Sequence, residues 1–252
     1  MSSFGIDISA WQKGLSLSQA KAEGVTYAII KFGGADAGKY KDSQAENFYA
    51  QAQAIGLPVG AYYFSKCTNE AGAIEEAKHF LSIIKGKSFP CKVWYDIEGN
   101  MTNLSKETLN KIALAFCKYL GDNGYECGVY TNVSTFNKID YNGSYSTKYP
   151  KWVAYWSKNK PSAVREGVDM WQYGGTQNFI RSNKIAGMVV DQDYCYFDFS
   201  GSPAPQPAPV SDGTVAKPTL KKGSYGPEVA KLQKNLNEFG YNLTVDSDFG
   251  AN

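Results

Sequence analysis

The stretch Lys92-Val93-Trp94-Tyr95-Asp96-Ile97-Glu98 decides the reading of this chain. Its β-branched and aromatic residues predict a strand, and side chains alternate across a strand. Asp96 and Glu98 therefore share one face, with Cα atoms roughly 6 to 7 Å apart. In a sheltered site, repulsion and desolvation raise one carboxyl and leave the other ionised, the division of labour that hydrolysis of a glycosidic bond needs. On this pattern Glu98 is the candidate acid. An isolated D-x-E at a strand end reads more often as a solvated terminus; the rest of the chain reverses that balance.

Short strand-like runs recur at Gly5 to Ser9, Tyr27 to Phe32, Val59 to Phe64, Gly128 to Asn132, Trp152 to Trp156, Val168 to Tyr173 and Gly187 to Tyr194. Helical spacing separates the first five strands. Ser105 is an N-cap before the stripe Leu109, Ile112, Ala113, Phe116 and Leu120; another stripe carries Ala73, Ala77, Phe80, Leu81 and Ile84; a third helix runs from about Asp42 to Ile55. Alternating strands and helices predict parallel strands. The connections after Trp156 and Tyr173 are rich in Gly, Asn, Ser and Pro and carry no helical pattern. The fold class expected is α/β: an irregular (β/α) TIM-like barrel of eight strands and fewer than eight helices.

In such barrels the reacting groups sit at the C-terminal ends of the strands. Asp7 lies in the first strand, Asp96 and Glu98 end the fourth, and Asp191 and Asp193 follow the apolar start of the eighth. Closure would set the first strand beside the eighth and bring Asp7 near Asp191.

At 252 residues with a formal net charge of +2, the chain offers no electrostatic case for nucleic acid as a partner. The five cysteines form no C-x-x-C pair and stand beside one histidine, His79, which argues against zinc. Mostly buried free thiols are expected, with a single bridge left open. The N-terminus enters a strand directly, without the basic and apolar segments of a signal peptide, so synthesis in the cytoplasm is expected. No apolar run reaches the ~20 residues of a membrane-spanning helix, so no membrane insertion is expected.

Composition divides the chain into three expected parts: a catalytic barrel over 1–199, a Pro-rich linker over 200–218, and a partial helical module over 219–252. The last part places Val229, Leu232, Leu236 and Phe239 on one helical face and is too short to build a core alone. Its Asp246 and Asp248 lack the further ligands of an EF-hand loop.

Seven strand-end stretches, in order, resemble glycoside hydrolase family 25, the N-acetylmuramidases of phage lysins and bacterial autolysins. They are Gly5-Ile6-Asp7-Ile8-Ser9, Tyr27-Ala28-Ile29-Ile30-Lys31, Gly60-Ala61-Tyr62-Tyr63-Phe64, Tyr95-Asp96-Ile97-Glu98, Gly128-Val129-Tyr130-Thr131-Asn132, Trp171-Gln172-Tyr173 and Val190-Asp191-Gln192-Asp193. The resemblance implies cleavage of the β-1,4 bond after N-acetylmuramic acid in bacterial peptidoglycan, acting on the wall after release, with no metal or cofactor. Carried over by position, Glu98 matches the proton donor, Asp96 the second acid, and Asp7 and Asp191 two supporting acids. Tyr63 stands where many members have histidine, and Tyr95 where an aliphatic residue is common. The tail resembles a peptidoglycan-binding helical repeat that stops short, which implies binding to a wall polymer.

Asp7 and Asp191 also admit a purely structural reading, such as Asp7 pairing with Lys31. Asp193 is expected to close its strand. Tyr62, Tyr130, Trp156 and Trp171 suit stacking on sugar faces, with Gln172 as a polar contact, although aromatics also fill barrel cores. Two other functions compete: another carboxylate glycosidase, such as a chitinase-like barrel, and an inactive wall-binding lectin. The first would carry a D-x-x-D-x-D-x-E pattern, absent from this chain, and the second would have lost one of the acids.

Overall fold

The structure is a computed structural model that describes residues 2–139, 149–159, 168–175 and 181–199, with 220–222, 224, 227–238, 243–246 and 249–250. The chain divides into two compact units, Met1–Ala208 and Pro209–Asn252.

In the first unit, strands β1 (Ser3–Ile8), β2 (Tyr27–Gly34), β4 (Val59–Phe64), β5 (Val93–Asp96), β6 (Cys127–Asn132), β7 (Lys151–Ala154), β8 (Met170–Gly174) and β9 (Asp191–Cys195) close into a barrel in that order. A two-residue strand, β3 (Tyr40–Lys41), pairs antiparallel with β2 outside the ring. Around the barrel lie α1 (Leu17–Ala22), α2 (Ala45–Ala54), α3 (Glu70–Ile84), α4 (Lys106–Asp122) and the four-residue α5 (Val133–Phe136). Ser105 caps α4 through Thr108 N at 3.1 Å, and the predicted apolar stripes of α3 and α4 are buried against the barrel, with Leu81 half-buried.

The ring strands β1, β2 and β4 to β8 run parallel, as expected, but β9 is antiparallel to both β8 and β1. The strand expected over Gly187 to Tyr194 also begins later, at Asp191. Asp191 thus opens its strand instead of following it. Because the strand is reversed, its start lies at the end of the barrel where the others finish.

Strand alternation sorts the side chains into two cores. Outward residues such as Ile6, Ile30, Ala61, Tyr95 and Tyr173 pack with the helices. Inward residues Tyr27, Ile29, Trp94, Tyr130, Trp152 and Met170 fill the barrel. Such large aromatic groups fit because glycine faces them. A Cβ on Gly5 would stand 2.3 Å from the Tyr27 ring, and one on Gly128 would stand 2.6 Å from Trp94.

All five cysteines are unpaired, four of them buried and Cys67 half-buried. Among the described residues, no helix is long and apolar enough to cross a membrane. In the second unit, α6 (Pro227–Glu238) buries Val229 and joins Gln233 Nε2 to Asp246 Oδ1 at 2.7 Å. Leu232 and Leu236 are half-buried; Phe239, Asp248 and the linker over 200–218 lie outside the described residues.

Candidate active site

Extended backbone continues past β5 and carries the alternation to Glu98. Ile97 N donates to Tyr130 O at 2.9 Å, Thr131 Oγ1 donates to Ile97 O at 2.7 Å, and Glu98 has φ −139° and ψ 177°. Trp94, Asp96 and Glu98 consequently face one side, while Tyr95 turns outward, stacks on Phe116 with centroids 3.7 Å apart and donates to Glu76 Oε2 at 3.2 Å. On the other side of the barrel, Asp7 and Asp191 are direct cross-strand partners of β1 and β9. Asp7, Asp96, Glu98 and Asp191 all line one polar cavity of about 100 Å³, together with Tyr62 and Tyr130. A larger cavity, about 390 Å³, opens among Lys87, Pro90, Tyr125 and Glu126 at the opposite strand ends and holds no converging acids.

Beneath this cleft runs a buried hydrogen-bond chain. Gln172 Nε2 donates to Asp7 Oδ2 at 2.8 Å, while Gln172 Oε1 accepts from Tyr130 OH at 2.9 Å and Trp156 Nε1 at 3.0 Å. Trp152 Nε1 donates to Asp193 Oδ1 at 2.8 Å. With every carboxyl ionised, Asp193 Oδ2 would be buried without a donor. The neighbouring Asp7 and Asp193 raise and lower one another in opposite senses, so a proton held at this pair favours Asp7. Burial pushes Asp7 well above the usual carboxylate range, the charges of Asp193 and Asp191 push it further, and the Gln172 amide opposes them.

Burial, then the charge of Glu98, also holds Asp96 well above the ordinary range, with Lys31 and Lys66 pulling the other way. Asp96 is 4% exposed, whereas Glu98 is half-buried. Asp96, the deeper of the two, is the carboxyl that burial favours in its protonated form. Burial and Glu98 raise Asp191 to about 6.

The structure thus gathers Asp7, Asp96, Glu98, Asp191, Tyr62, Tyr130 and Gln172 at one cleft. Trp156 reaches it through Gln172 and is 37% exposed. Trp171 lies elsewhere: it is buried in the outer core, donates to Tyr155 O at 2.8 Å and packs against Tyr173 and Tyr194. Adjacent strand residues face opposite sides, so Gln172 and Trp171 cannot both face the barrel axis. Asp193 does not close its strand; it sits in the middle of β9, fully buried inside the barrel. The period-two spacing from Asp191 was the signal for its inward direction. Lys31 forms no ion pair with Asp7 among the described residues and lies over the Phe64 ring, 4.7 Å from its centroid. His79 accepts or donates at Nδ1 with Tyr63 OH at 3.0 Å, packed between helix and strand.

A closed barrel whose strand ends converge paired carboxylates on a polar cleft defines a glycosidase-type site. Residues 6–181 match the glycosyl hydrolases family 25, and the chain belongs to that family; it is a glycoside hydrolase. It is similar to lysozyme M1 of Streptomyces globisporus, 28% identical over 212 residues that cover 79% of this chain and 68% of that protein. The bacterial lysozyme from Streptomyces coelicolor superposes with a TM-score of 0.59 at 26% identity, covering 76% of this chain and 90% of the other. The Clostridium perfringens spore cortex lytic enzyme SleM shares the fold at a TM-score of 0.66 and 18% identity, over 77% of this chain and 67% of its own.

Proposed function

We propose that this chain is a bacteriolytic N-acetylmuramidase that hydrolyses the β-1,4 bond between N-acetylmuramic acid and N-acetylglucosamine in peptidoglycan. The observation that carries the reading is the meeting of Asp96 and Glu98 with Asp7 and Asp191 at one polar cleft. The lysozymes to which the chain is similar support the substrate.

Burial favours the protonated form of Asp96. A bound sugar directs its 2-acetamido N–H at the Asp96 carboxyl, and such a donor favours the ionised form. Glu98, beside the glycosidic oxygen, carries the transferable proton. Glu98 gives it to that oxygen as the bond to C1 breaks, while the acetamido oxygen, oriented by Asp96, attacks C1. Water opens the resulting ring with Glu98 as base, which restores the proton to the pair. Asp7 and Asp191 line the same centre. The tail from 219 onward acts as a wall-binding module, and the enzyme meets the wall after release from the cytoplasm.

Mass spectrometry of products from purified peptidoglycan tests the bond assignment. Fragments ending in reducing N-acetylmuramic acid are expected; reducing N-acetylglucosamine, or intact glycan, overturns it.

A further inference from the structure

A second cavity, about 280 Å³, adjoins the acid cleft and shares Asp7, Tyr62 and Asp191 with it. Its outer wall is Trp11, flanked by Gln12, Val189 and Val190. Trp11 is 91% exposed, and Val189 is 41% exposed. An indole left in water contributes little to folding, since its stabilising value lies in burial.

The turn that carries this ring is nevertheless firmly held. Ser9 N donates to Gln12 Oε1 at 3.0 Å, and Trp11 N donates to Ser9 Oγ at 3.3 Å, so the two side chains cap one short turn reciprocally. Ala10 N donates to Asp42 Oδ2 at 3.1 Å, and Asp42 N donates to Phe32 O at 2.9 Å, which ties the turn to β2. A flat ring on a preorganised mount loses little freedom when a ligand covers it.

The chemistry of the walls selects the ligand. The cavity is lined by two carboxyl groups and no cationic side chain. That arrangement disfavours the carboxylates of a peptide stem and favours an uncharged ring with an apolar face for the indole and hydroxyls for Gln12 and the acids. Resting on the glycan-hydrolase reading, we propose that Trp11 forms the platform of a separate subsite for an uncharged N-acetylhexosamine residue of the glycan strand, next to the sugar held at the acids. Trp11 is a binding residue in this proposal, with no part in proton transfer.

The test uses the full chain and peptide-free oligosaccharides of alternating N-acetylglucosamine and N-acetylmuramic acid. Affinity is measured by calorimetry in a Glu98→Gln background, with Trp11→Ala and Trp11→Phe added to it. Trp11→Ala should weaken binding roughly three- to tenfold, as loss of one aromatic contact implies, and Trp11→Phe should retain most of it. In the otherwise unaltered enzyme, Trp11→Ala should raise KM by a similar factor and leave kcat nearly unchanged. Unchanged affinity in Trp11→Ala overturns the proposal. So does a monomer–dimer equilibrium abolished by Trp11→Ala with glycan affinity intact, which would make a second copy the occupant of the ring. Turnover of peptidoglycan by the unaltered chain is recorded alongside. Absence of turnover with Trp11-dependent glycan binding would remove the hydrolase reading and keep the subsite.

Discussion

Gln172 donates its amide to Asp7 Oδ2 at 2.8 Å, although the two residues lie 165 positions apart in sequence. The same side chain accepts from Tyr130 and Trp156, so one amide links three strands and the loop after β7 beneath the acids. Replacing it by leucine keeps bulk but leaves Asp7 without that donor and two aromatic donors without that acceptor. Gln172→Leu should cost about 1–3 kcal/mol for each buried group left unsatisfied. Urea denaturation checks this, and a loss under 0.5 kcal/mol, roughly the scatter of neutral surface changes, would show that the chain of bonds does not matter.

Glu98→Gln preserves volume and removes the transferable proton. Lysis of cell walls should fall by about 100- to 10,000-fold, the usual contribution of general acid catalysis. The melting temperature should stay close to that of the parent, because Glu98 is half-buried at the cleft and outside the buried bond chain. A folded variant with near-normal lysis removes Glu98 from the mechanism.

Asp96→Asn tests the coupling between the two acids. Asp96 is raised by burial and by the charge of Glu98, so it releases its proton at higher pH than an isolated carboxyl would. With Asp96 neutral, that coupling disappears. The basic limb of the kcat/KM profile should move to lower pH, alongside a large fall in rate. A basic limb that stays in place would mean that another group sets it.

These outcomes depend on features that sequence discloses unevenly. Alternation predicts that Asp96 and Glu98 share a face, and barrel closure predicts the meeting of Asp7 with Asp191; both are direct consequences of period two and strand order. Strand direction is a different matter. Nothing in the apolar pattern of Gly187 to Tyr194 distinguishes a parallel strand from an antiparallel one, so the reversal of β9 emerges only from its pairing with β1 and β8. Trp171 was expected at the sugar because aromatics suit it, yet its neighbour Gln172 occupies the inward position. The depth of Asp96, which favours its protonated form, depends on barrel walls contributed by distant strands.

Asp191 offers a separate test of electrostatics through stability. Burial and the charge of Glu98 raise its pKa from 3.8 to about 6 in the folded protein. Below pH 3.8 the folded and unfolded states both hold the proton, and Asp191 contributes no penalty. Between the two values the folded state binds more protons than the unfolded one, so stability falls as pH rises. Above about 6 the penalty is complete, on the order of 2 kcal/mol after allowance for partial exposure. Asp191→Asn removes the ionisation at nearly constant volume. It should therefore melt higher than the parent at pH 7.5, show that advantage shrinking through pH 6 to 4, and match the parent at pH 3.5. If Asp191 also supports the reacting centre, the same variant should lose activity as it gains stability. Melting curves across this range decide the point: a difference from the parent that is constant with pH would mean that Asp191 is not held in its neutral form by the fold.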